Sequence, residues 1–476
     1  MMLGTMQVIL MANANWNQLG LDIDGEAGDD YSGHSVSLSD DGTIMAIGAP
    51  YNDDGPGSNA GHVRVYEYSG GSWSQKGADI DGEAADDESG TSVSLSSDGS
   101  IVAIGAHYND GTGSNAGHVR VYEWNSGTSA WDQKGADIDG EAASDQSGYS
   151  ISLSSDGTIV AIGAQINAGG GAASGHVRVY EWNSGTSAWG QKGADIDGEA
   201  ADDESGISVS LSDDGSRVAI GAYLNDGTDS NAGHVRVYEW NGGTSAWDQK
   251  GADIDGEAGD DYSGYSVSLS SDGSRVAIGA RGNDGSFSGA GHVRVYEYSG
   301  SSWGQIGADI DGEAASDQSG ISVSLNGDGS VVAIGAWKND GTGSNAGHVR
   351  VYEYSDGSWS QKGADIDGEA AIDQSGYSVS LSSDGSIVAI GARKNDGTDT
   401  NAGHVRVYSF SVLPVIQKII TDNPYVNGAA IMHVSPLPNV PKTRLAHVIN
   451  DNTGIDAISD ILSTRFDDTF YYTGDE

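Results

Sequence analysis

The sequence predicts an all-β protein whose main part is a closed ring of seven four-stranded blades, a seven-bladed β-propeller. Two strings, repeated every 56–58 residues, support this prediction. Asp-Ile-Asp-Gly-Glu-Ala begins at Asp22, Asp79, Asp137, Asp195, Asp253, Asp309 and Asp365. Gly-His-Val-Arg-Val-Tyr begins at Gly61, Gly117, Gly175, Gly233, Gly291, Gly347 and Gly403. Each repeat also contains four short strand patterns separated by clusters of Gly, Asp, Asn and Ser.

The second repeat illustrates the four predicted strands. Residues 92–96, 118–124 and 131–138 alternate apolar and polar side chains, which is typical of half-buried strands. Residues 100–106 are almost continuously apolar and small, as expected for a strand near a crowded axis. Ser97-Asp98-Gly99 predicts a tight hairpin turn between the first two strands.

A spare strand at the N-terminus favours a closed ring over the main rival, an open β-solenoid. The pattern Trp-x-Gln recurs at Trp16, Trp73, Trp131, Trp189, Trp247, Trp303 and Trp359. The last repeat ends near Phe410 without such a Trp, whereas the first is preceded by Trp16. We therefore expect residues 15–23 to be the outer strand of the last blade, which would leave no open sheet edge.

Three segments are predicted along the chain. Residues 15–410 are the propeller. Residues 1–14 are apolar and are interpreted as an N-terminal arm, with a weak secretory signal as the alternative because the stretch has no Lys or Arg. Residues 411–476 change composition abruptly and are predicted to be a small anchoring or assembly segment, with a short helix at 456–466. The alternative for this segment is a flap on the propeller's own surface.

The composition excludes several classes of function. The 476 residues carry a formal net charge of -47, which argues against binding to nucleic acid or to an anionic membrane surface. No apolar run is long enough to insert into a membrane. The absence of Cys excludes disulfides, thiolate metal ligands and a Cys nucleophile.

The repeats resemble a known family. Ser-Gly-x-Ser-Val-Ser-Leu-Ser, Asp-Gly, Val-Ala-Ile-Gly-Ala and Gly-His-Val-Arg-Val-Tyr, in this order, are similar to the FG-GAP repeat across about residues 15–410. The resemblance implies the seven-bladed propeller of integrin α chains and of many bacterial and viral surface proteins. The sequence departs from the family where Gly-Ala-Pro survives only at residues 48–50. It also departs where the family's calcium loop between the first two strands is shortened to turns such as residues 39–42.

The Asp-x-Asp-Gly strings provide a candidate calcium site, with Ca²⁺ as an optional cofactor and none required. Their carboxylates are the hard oxygen ligands that Ca²⁺ prefers, and Gly permits a sharp turn. The alternative is a turn in a solvated acidic rim. The candidate ligands are Asp22, Asp24, Asp79, Asp81, Asp137, Asp139, Asp195, Asp197, Asp253, Asp255, Asp309, Asp311, Asp365 and Asp367.

The repeated His residues are interpreted as structural, hydrogen-bonded side chains, because equivalent atoms of seven blades lie too far apart to share one ion. They are His62, His118, His176, His234, His292, His348 and His404. The Arg two residues later, Arg64 in the first repeat, is expected to bond an acidic neighbour.

Two positions vary on this repeated frame and predict a ligand-binding surface. Both are expected on one rim of the ring, the top face, as exposed side chains, because aromatic and Arg side chains on a concave rim are typical of recognition sites. The residue after Gly-Ala is Pro50, His107, Gln165, Tyr223, Arg281, Trp337 and Arg393. The residue after Ser-Gly, expected near the central channel, is His34, Thr91, Tyr149, Ile207, Tyr265, Ile321 and Tyr377. Sequence drift at unconstrained positions is the alternative.

The sequence contains no His-Glu-x-x-His or Walker-type loop and no Gly-x-Ser-x-Gly elbow that leads from a strand into a helix, and we predict a non-enzymatic protein without catalytic residues. We expect a protein or glycan ligand on the top face and assembly proteins bound through residues 411–476. The expected setting is a virion surface, where the chain would decorate or attach a particle. The alternative is a secreted or cell-surface adhesin of a marine microbe. An enzyme is the third interpretation.

Overall fold

The computed structural model describes residues 7–420, 443–445 and 461–463, with side chains described over residues 14–411. The chain divides into two compact units. One is Trp16–Ser409, and the other comprises Met1–Asn15 with Phe410–Glu476. The first unit is the predicted propeller: seven antiparallel blades of four strands and, within the described residues, strands without helices.

Strand one of each blade is short and strand two is longer. Strand one spans Ser35–Leu38, Ser92–Leu95, Ser150–Leu153, Ser208–Leu211, Ser263–Leu269, Ser322–Leu325 and Ser375–Leu381. Strand two spans Ile44–Ala49, Ile101–Ala106, Ile159–Ala164, Arg217–Ala222, Arg275–Ala280, Val331–Ala336 and Ile387–Ala392. Strand two is almost completely buried, as its run of small apolar residues predicts.

Strand three begins at the repeated His of each blade. It spans His62–Ser69, His118–Asn125, His176–Asn183, His234–Asn241, His292–Ser299, His348–Ser355 and His404–Ile420. Its first half is buried on both faces in all blades, so the predicted alternation is wrong there. The reason is that side chains such as Val63 and Val65 pack against the neighbouring blade on one face while His62 and Arg64 are covered on the other.

Strand four is split in two, whereas the sequence predicted one strand. Its first part spans Ser72–Gln75, Ala130–Gln133, Ala188–Gln191, Ala246–Gln249, Ser302–Gln305 and Ser358–Gln361. Its second part spans Ile80–Asp81, Ile138–Asp139, Ile196–Asp197, Ile254–Asp255, Ile310–Asp311 and Ile366–Asp367. Both parts pair with strand three. A glycine at positive φ, such as Gly135 at 87°, separates them and lies against Trp182 and Trp189 of the next blade.

The N-terminal strand closes the ring, as predicted. The strand Gln7–Gln18 and the two-residue strand Ile23–Asp24 both pair with the third strand of blade seven. Within this pairing Ile23 lies opposite Val405 and Asp24 opposite His404. The Trp16 indole Nε1 donates to the Lys362 carbonyl at 2.6 Å, as Trp131 does to Lys76 at 2.7 Å. Blades one and seven are therefore neighbours in the ring.

A closed circle of backbone hydrogen bonds joins the seven hairpin turns between strands one and two. Each turn donates one N–H to a carbonyl of the following blade at 2.8–2.9 Å. The circle runs through Asp40, Ser97, Ser155, Asp213, Ser271, Gly327 and Ser383 and returns to Asp40. Because a solenoid would leave its two end turns unpaired, this circle is a direct signature of closure.

The core consists of apolar layers between neighbouring blades. Between blades one and two, Val63 and Ile44 of the first pack against Val93, Leu95 and Val102 of the second. The polar positions of strand one are Ser because each hydroxyl bonds the next blade. Ser35 Oγ donates to the Gly90 carbonyl at 2.8 Å, and Ser37 Oγ accepts from the Leu95 amide at 3.0 Å.

The second unit contains a pair of three-residue strands, Thr443–Leu445 and Ile461–Ser463. The helix predicted at residues 456–466 is wrong at 461–463, and its other residues lie outside the described part. Across the described residues, no helix has the length and apolar character needed to cross a membrane.

Candidate functional site on the top face

The top face is built from two loops of each blade that are fastened by a buried carboxylate. In blade two, Asp87 Oδ2 accepts from the Asn109 side-chain amide at 2.9 Å and from the Ala84 amide at 3.0 Å. Asp87 is 3% exposed. The same pair of bonds forms at Asp30, Asp145, Asp203, Asp317 and Asp373. These acids therefore hold the loop before strand one against the loop between strands two and three.

In blades two to seven, the variable residue after Gly-Ala contacts a second variable position 19 residues earlier; we name the set of residues after Gly-Ala the rim ring. Gln165 Nε2 donates to Gln146 Oε1 at 3.1 Å, and the Tyr223 hydroxyl donates to Glu204 Oε2 at 3.0 Å. Trp337 Nε1 donates to Gln318 Oε1 at 2.9 Å. We name this second set the loop ring: Tyr31, Glu88, Gln146, Glu204, Tyr262, Gln318 and Gln374.

The remaining blades pair their rim and loop residues in other ways. Arg393 Nε donates to Gln374 Oε1 at 2.9 Å. The Arg281 guanidinium lies 5.5 Å from the centre of the Tyr262 ring, and His107 Nε2 lies 3.8 Å from Glu88 Oε2. In blade one, Pro50 offers no donor, and Tyr31 packs edge-on against Tyr51 at 5.1 Å. Blades two to seven thus each carry a chemically matched pair.

The variable residues after Ser-Gly, the channel ring, link neighbouring pairs. The Tyr377 ring lies 3.6 Å from the Arg393 guanidinium, 5.0 Å from His34 and 6.0 Å from Trp337. Tyr265 similarly contacts Tyr223 at 5.4 Å and the Arg281 guanidinium at 3.9 Å. Aromatic and cationic groups therefore form two contiguous clusters, one in blades four and five and one in blades six, seven and one.

The predicted exposure of these residues is wrong. Pro50, His107 and Gln165 of the rim ring are buried, and the other four are half-buried. His34, Tyr149, Tyr265 and Tyr377 are half-buried, and Thr91, Ile207 and Ile321 are buried. The reason is that each rim side chain lies against its loop partner and against the channel ring. The side chains of this surface are therefore held in place before any ligand binds.

Burial also sets the protonation of the top face. It raises the pKa of Tyr377 to about 12, lowers that of His34 to about 3 and lowers that of His107 to about 4. Burial, with a smaller contribution from Asp86, raises the pKa of Glu88 to about 7. The two histidines are thus neutral at pH 7.

Charge is distributed unevenly among the variable positions. The carboxylates Glu88 and Glu204 belong to blades two and four. The cations Arg281, Lys338, Arg393 and Lys394 belong to blades five to seven, and burial first and the Arg281 charge second lower the pKa of the Lys338 amine. The Arg281 Nε atom is buried without a hydrogen-bond partner. A chain of net charge -47 therefore presents a local cationic patch on this face.

Sequence reasoning missed the loop ring. All seven of its residues have positive φ, between 53° and 59°, and precede an invariant Ser-Gly. The available signal was a third variable position at a constant spacing of 19 residues from the rim ring, with Gln, Glu and Tyr alternating in step with the partner.

The structure separates the two aspartates of each Asp-x-Asp-Gly string. Asp79 lies beside His62 and Glu26, with candidate ligand atoms within 4.8 Å of one another. Asp81 belongs to strand four, and its carbonyl accepts from Arg120 Nη2 of the next blade at 2.6 Å. In blade seven Asp22 and Asp24 both lie beside His404. The calcium site stays a prediction.

The repeated His and Arg side chains are buried between blades. Arg64 Nη1 lies 3.5 Å from Glu26 Oε1, in agreement with its expected acidic neighbour. In three repeats one ring nitrogen of the His is buried without a hydrogen-bond partner: Nδ1 of His62 and Nε2 of His118 and His176.

The family comparison agrees with this architecture. The model of the FG-GAP repeat matches residues 21–66, which is the first repeat, and the other six copies share its strings and its blade structure. The first repeat is thus an FG-GAP repeat by this match. No curated protein sequence matches it significantly.

Solved propellers resemble this chain in fold at low sequence identity. A suspected 6-phosphogluconolactonase from Bacteroides uniformis has a TM-score of 0.54 at 11% identity, covering 80% of this chain and 96% of that one. Hydrazine synthase from Kuenenia stuttgartiensis has a TM-score of 0.50 at 12% identity, covering 83% and 98%. The β-propeller domain of Myceliophteria thermophila Cps50 (Swd1) has a TM-score of 0.50 at 10% identity, covering 82% and 100%. At these identities the likeness concerns the fold alone.

Proposed function

We propose that this protein is a non-enzymatic binding propeller whose top face recognises a ligand that carries negative charge. The observation that carries the proposal is the set of matched rim and loop pairs on an otherwise repeated frame. Substitutions at unconstrained loop positions would not come in pairs that bond each other, such as Trp337 with Gln318 and Arg393 with Gln374. Pre-oriented aromatic and Arg groups lower the entropic cost of binding.

The cationic patch on blades five to seven indicates the chemistry of the ligand. Arg281 and Arg393 lie against Tyr265 and Tyr377, which fixes their guanidinium planes, and the Arg393 guanidinium lies 5.7 Å from the centre of the Trp337 ring. An Arg guanidinium recognises a carboxylate through paired hydrogen bonds, and an aromatic ring offers a flat apolar surface. A carboxylated glycan combines both features and is the ligand class we favour over a protein.

A glycan array that contains uronic and sialic acid glycans beside their neutral counterparts tests this proposal. We expect selective binding of carboxylated glycans and a loss of at least about tenfold in affinity for Trp337→Ala and Arg281→Ala, since buried aromatic and Arg contacts are typical hot spots. Arg275→Ala is the matched control, because Arg275 pairs with Glu297 at the opposite end of strand two. Equal effects of all three substitutions, or binding that ignores the carboxylate, would contradict the proposal.

For the setting, we propose display on a virion surface, with attachment through residues 411–476. The distinct composition of this segment and its separation from the propeller unit support an assembly role. The alternative is a secreted or cell-surface adhesin, which the acidity of the chain supports equally. Peptide mass spectrometry of purified particles and of envelope fractions separates the two, because only one fraction should contain the protein in quantity.

A further inference from the structure

A second constellation, away from the rim ring, lies where consecutive blades meet. In blade one it consists of His62 at the start of strand three, Asp79 between the two parts of strand four, and Glu26 from the preceding interblade loop. One ligand atom of each lies within 4.8 Å of the others, and His62 Nδ1 is 3.9 Å from Glu26 Oε2. Three different parts of the chain therefore direct donor atoms at one point.

The buried His62 imidazole has one ring nitrogen without a partner in the protein, so that nitrogen is available to an external ligand. The residue is 1% exposed, and its Nδ1 atom has no hydrogen-bond partner. A buried atom left without a partner is unfavourable, and a neutral imidazole nitrogen offers a lone pair to a metal ion.

The spacing of His62 and Glu26 allows both to bind one metal ion, and Asp79 offers a carboxylate oxygen within 4.8 Å of both. Two ligands bound to the same ion at about 2.1 Å each can be up to roughly 4.2 Å apart, and the 3.9 Å between His62 and Glu26 lies within this limit. Glu26 is partly exposed and can adjust. Its other oxygen, Oε1, lies 3.5 Å from Arg64 Nη1, an outer contact of the kind that orients ligating carboxylates.

The donor set distinguishes among metals. One imidazole nitrogen and two carboxylates suit Zn²⁺ and related transition metals, whereas Ca²⁺ requires six to eight oxygen ligands. An ion here would also connect the preceding loop to strands three and four of the blade, and so fasten each blade to its neighbour.

We propose that Glu26, His62 and Asp79 form a binding site for a divalent transition metal ion such as Zn²⁺, and that the equivalent residues repeat this site around the ring. The corresponding groups include Glu83, His118 and Asp137; Glu141, His176 and Asp195; Glu199, His234 and Asp253; and Asp22, Asp24 and His404, with two more groups of this kind. The site uses the first aspartate of each Asp-Ile-Asp-Gly string and, except in blade seven, not the second.

The experiment uses the full chain, stripped of metal with a chelator and then titrated with Zn²⁺. We expect about seven bound equivalents after gel filtration, a rise in melting temperature and, with Co²⁺ instead, a visible absorption spectrum of nitrogen and oxygen ligation. A variant with Gln at all interblade-loop glutamates should lose this binding at every site that contains a glutamate and keep it at Asp22, Asp24 and His404. Its positions are Glu26, Glu83, Glu141, Glu199, Glu257, Glu313 and Glu369.

The matched control removes a similar number of charges at the far end of strand three. It carries Gln at Glu67, Glu123, Glu181, Glu239, Glu297 and Glu353. We expect it to keep all equivalents. If it loses as much Zn²⁺ as the first variant, the ions are only counterions of an acidic protein, and the proposal is overturned. Absence of saturable binding to the native chain would overturn it as well.

Two single substitutions decide the matter if the multiple variant does not fold. Asp79→Asn should lose one equivalent of Zn²⁺, and Asp81→Asn should lose none. The opposite result, or displacement of Zn²⁺ by equimolar Ca²⁺, would refute the transition-metal site and favour calcium at the Asp-x-Asp-Gly string.

Discussion

At the scale of single residues, the top face contains positions where the side chain varies between repeats while the backbone conformation stays the same. The loop ring accepts Tyr, Glu and Gln at nearly the same positive φ, so the backbone constrains none of these choices. What differs is the rim-ring residue that each one contacts: Glu88 contacts His107, and Gln146 contacts Gln165. The pairs, not the individual residues, are therefore the units in which this surface varies.

Glu88 provides a pH test at this scale. Its pKa is about 7 in the folded protein, because of burial first and Asp86 second, against an ordinary value of 4.5. The unfolded chain thus ionises first as the pH rises, and the folded state loses stability between about pH 4.5 and 7. We expect Glu88→Gln to be more stable than the native protein at pH 8, by about 1–2 kcal/mol after allowing for partial exposure, and equally stable at pH 4.

Denaturant unfolding of both proteins at pH 4 and pH 8 measures this difference. Glu67→Gln is the control, since its carboxylate is largely exposed and lies 3.8 Å from Lys76. A Glu88→Gln variant that is less stable at pH 8 would mean that ionised Glu88 forms a favourable pair with a protonated His107, against the low pKa of that imidazole.

At the scale of strands and loops, most of the fold could be predicted from the sequence and the contacts between blades could not. The repeated strings located the strands because hydrophobic period and turn residues are local signals. The break in strand four depends on Trp182 and Trp189 of the next blade, which contact Gly135. The meeting of Glu26, His62 and Asp79 likewise depends on how one blade is placed against the preceding loop. Neither feature has a local signature.

The glycine of Asp-Ile-Asp-Gly illustrates the same difference. Its sequence context suggested a sharp turn around an ion, but Gly82 has no positive φ. A Cβ there would collide with the carbonyl of Ala60, in the loop that leads into strand three. The collision recurs at Gly25, Gly140, Gly198, Gly256, Gly312 and Gly368. Close backbone approach therefore explains this glycine in every repeat, whether or not a metal binds nearby.

We accordingly expect Gly82→Ala to destabilise the propeller by a few kcal/mol, roughly 2–4, because two backbone segments must move apart. Gly304→Ala is the control: it lies in an outer strand, a Cβ there meets nothing within 4 Å, and the change should stay within about 0.5 kcal/mol. Chemical denaturation in the presence of chelator measures both. Equal stability of the two variants would show that the Ala60 loop yields easily.

At the scale of the whole molecule, closure joins residues that are hundreds of positions apart. Each other blade holds its outer strand through a hairpin, but blade seven receives Gln7–Gln18 and Ile23–Asp24 from the opposite end of the propeller sequence. Trp16 is 6% exposed and bonds the Lys362 carbonyl across the seam. The seam is therefore the place where ring integrity depends on tertiary contacts alone.

This dependence leads to a comparison of two equivalent tryptophans. Trp16→Ala and Trp189→Ala remove the same indole and the same type of hydrogen bond, to the Lys362 and Lys134 carbonyls. Losing Trp189 leaves its strand tethered by a short hairpin, so we expect opening confined to blades two and three. Losing Trp16 releases a strand that only the rest of the ring holds in place. We therefore expect amide exchange to accelerate by about tenfold or more in strands Ser35–Leu38 and Ser375–Leu381, on both sides of the seam. Hydrogen-exchange mass spectrometry on the two variants measures these exchange rates. Equally local effects of both substitutions would show that the N-terminal strand is not needed to keep the ring closed. The circle of turn hydrogen bonds at Asp40 and Ser383 would then be sufficient.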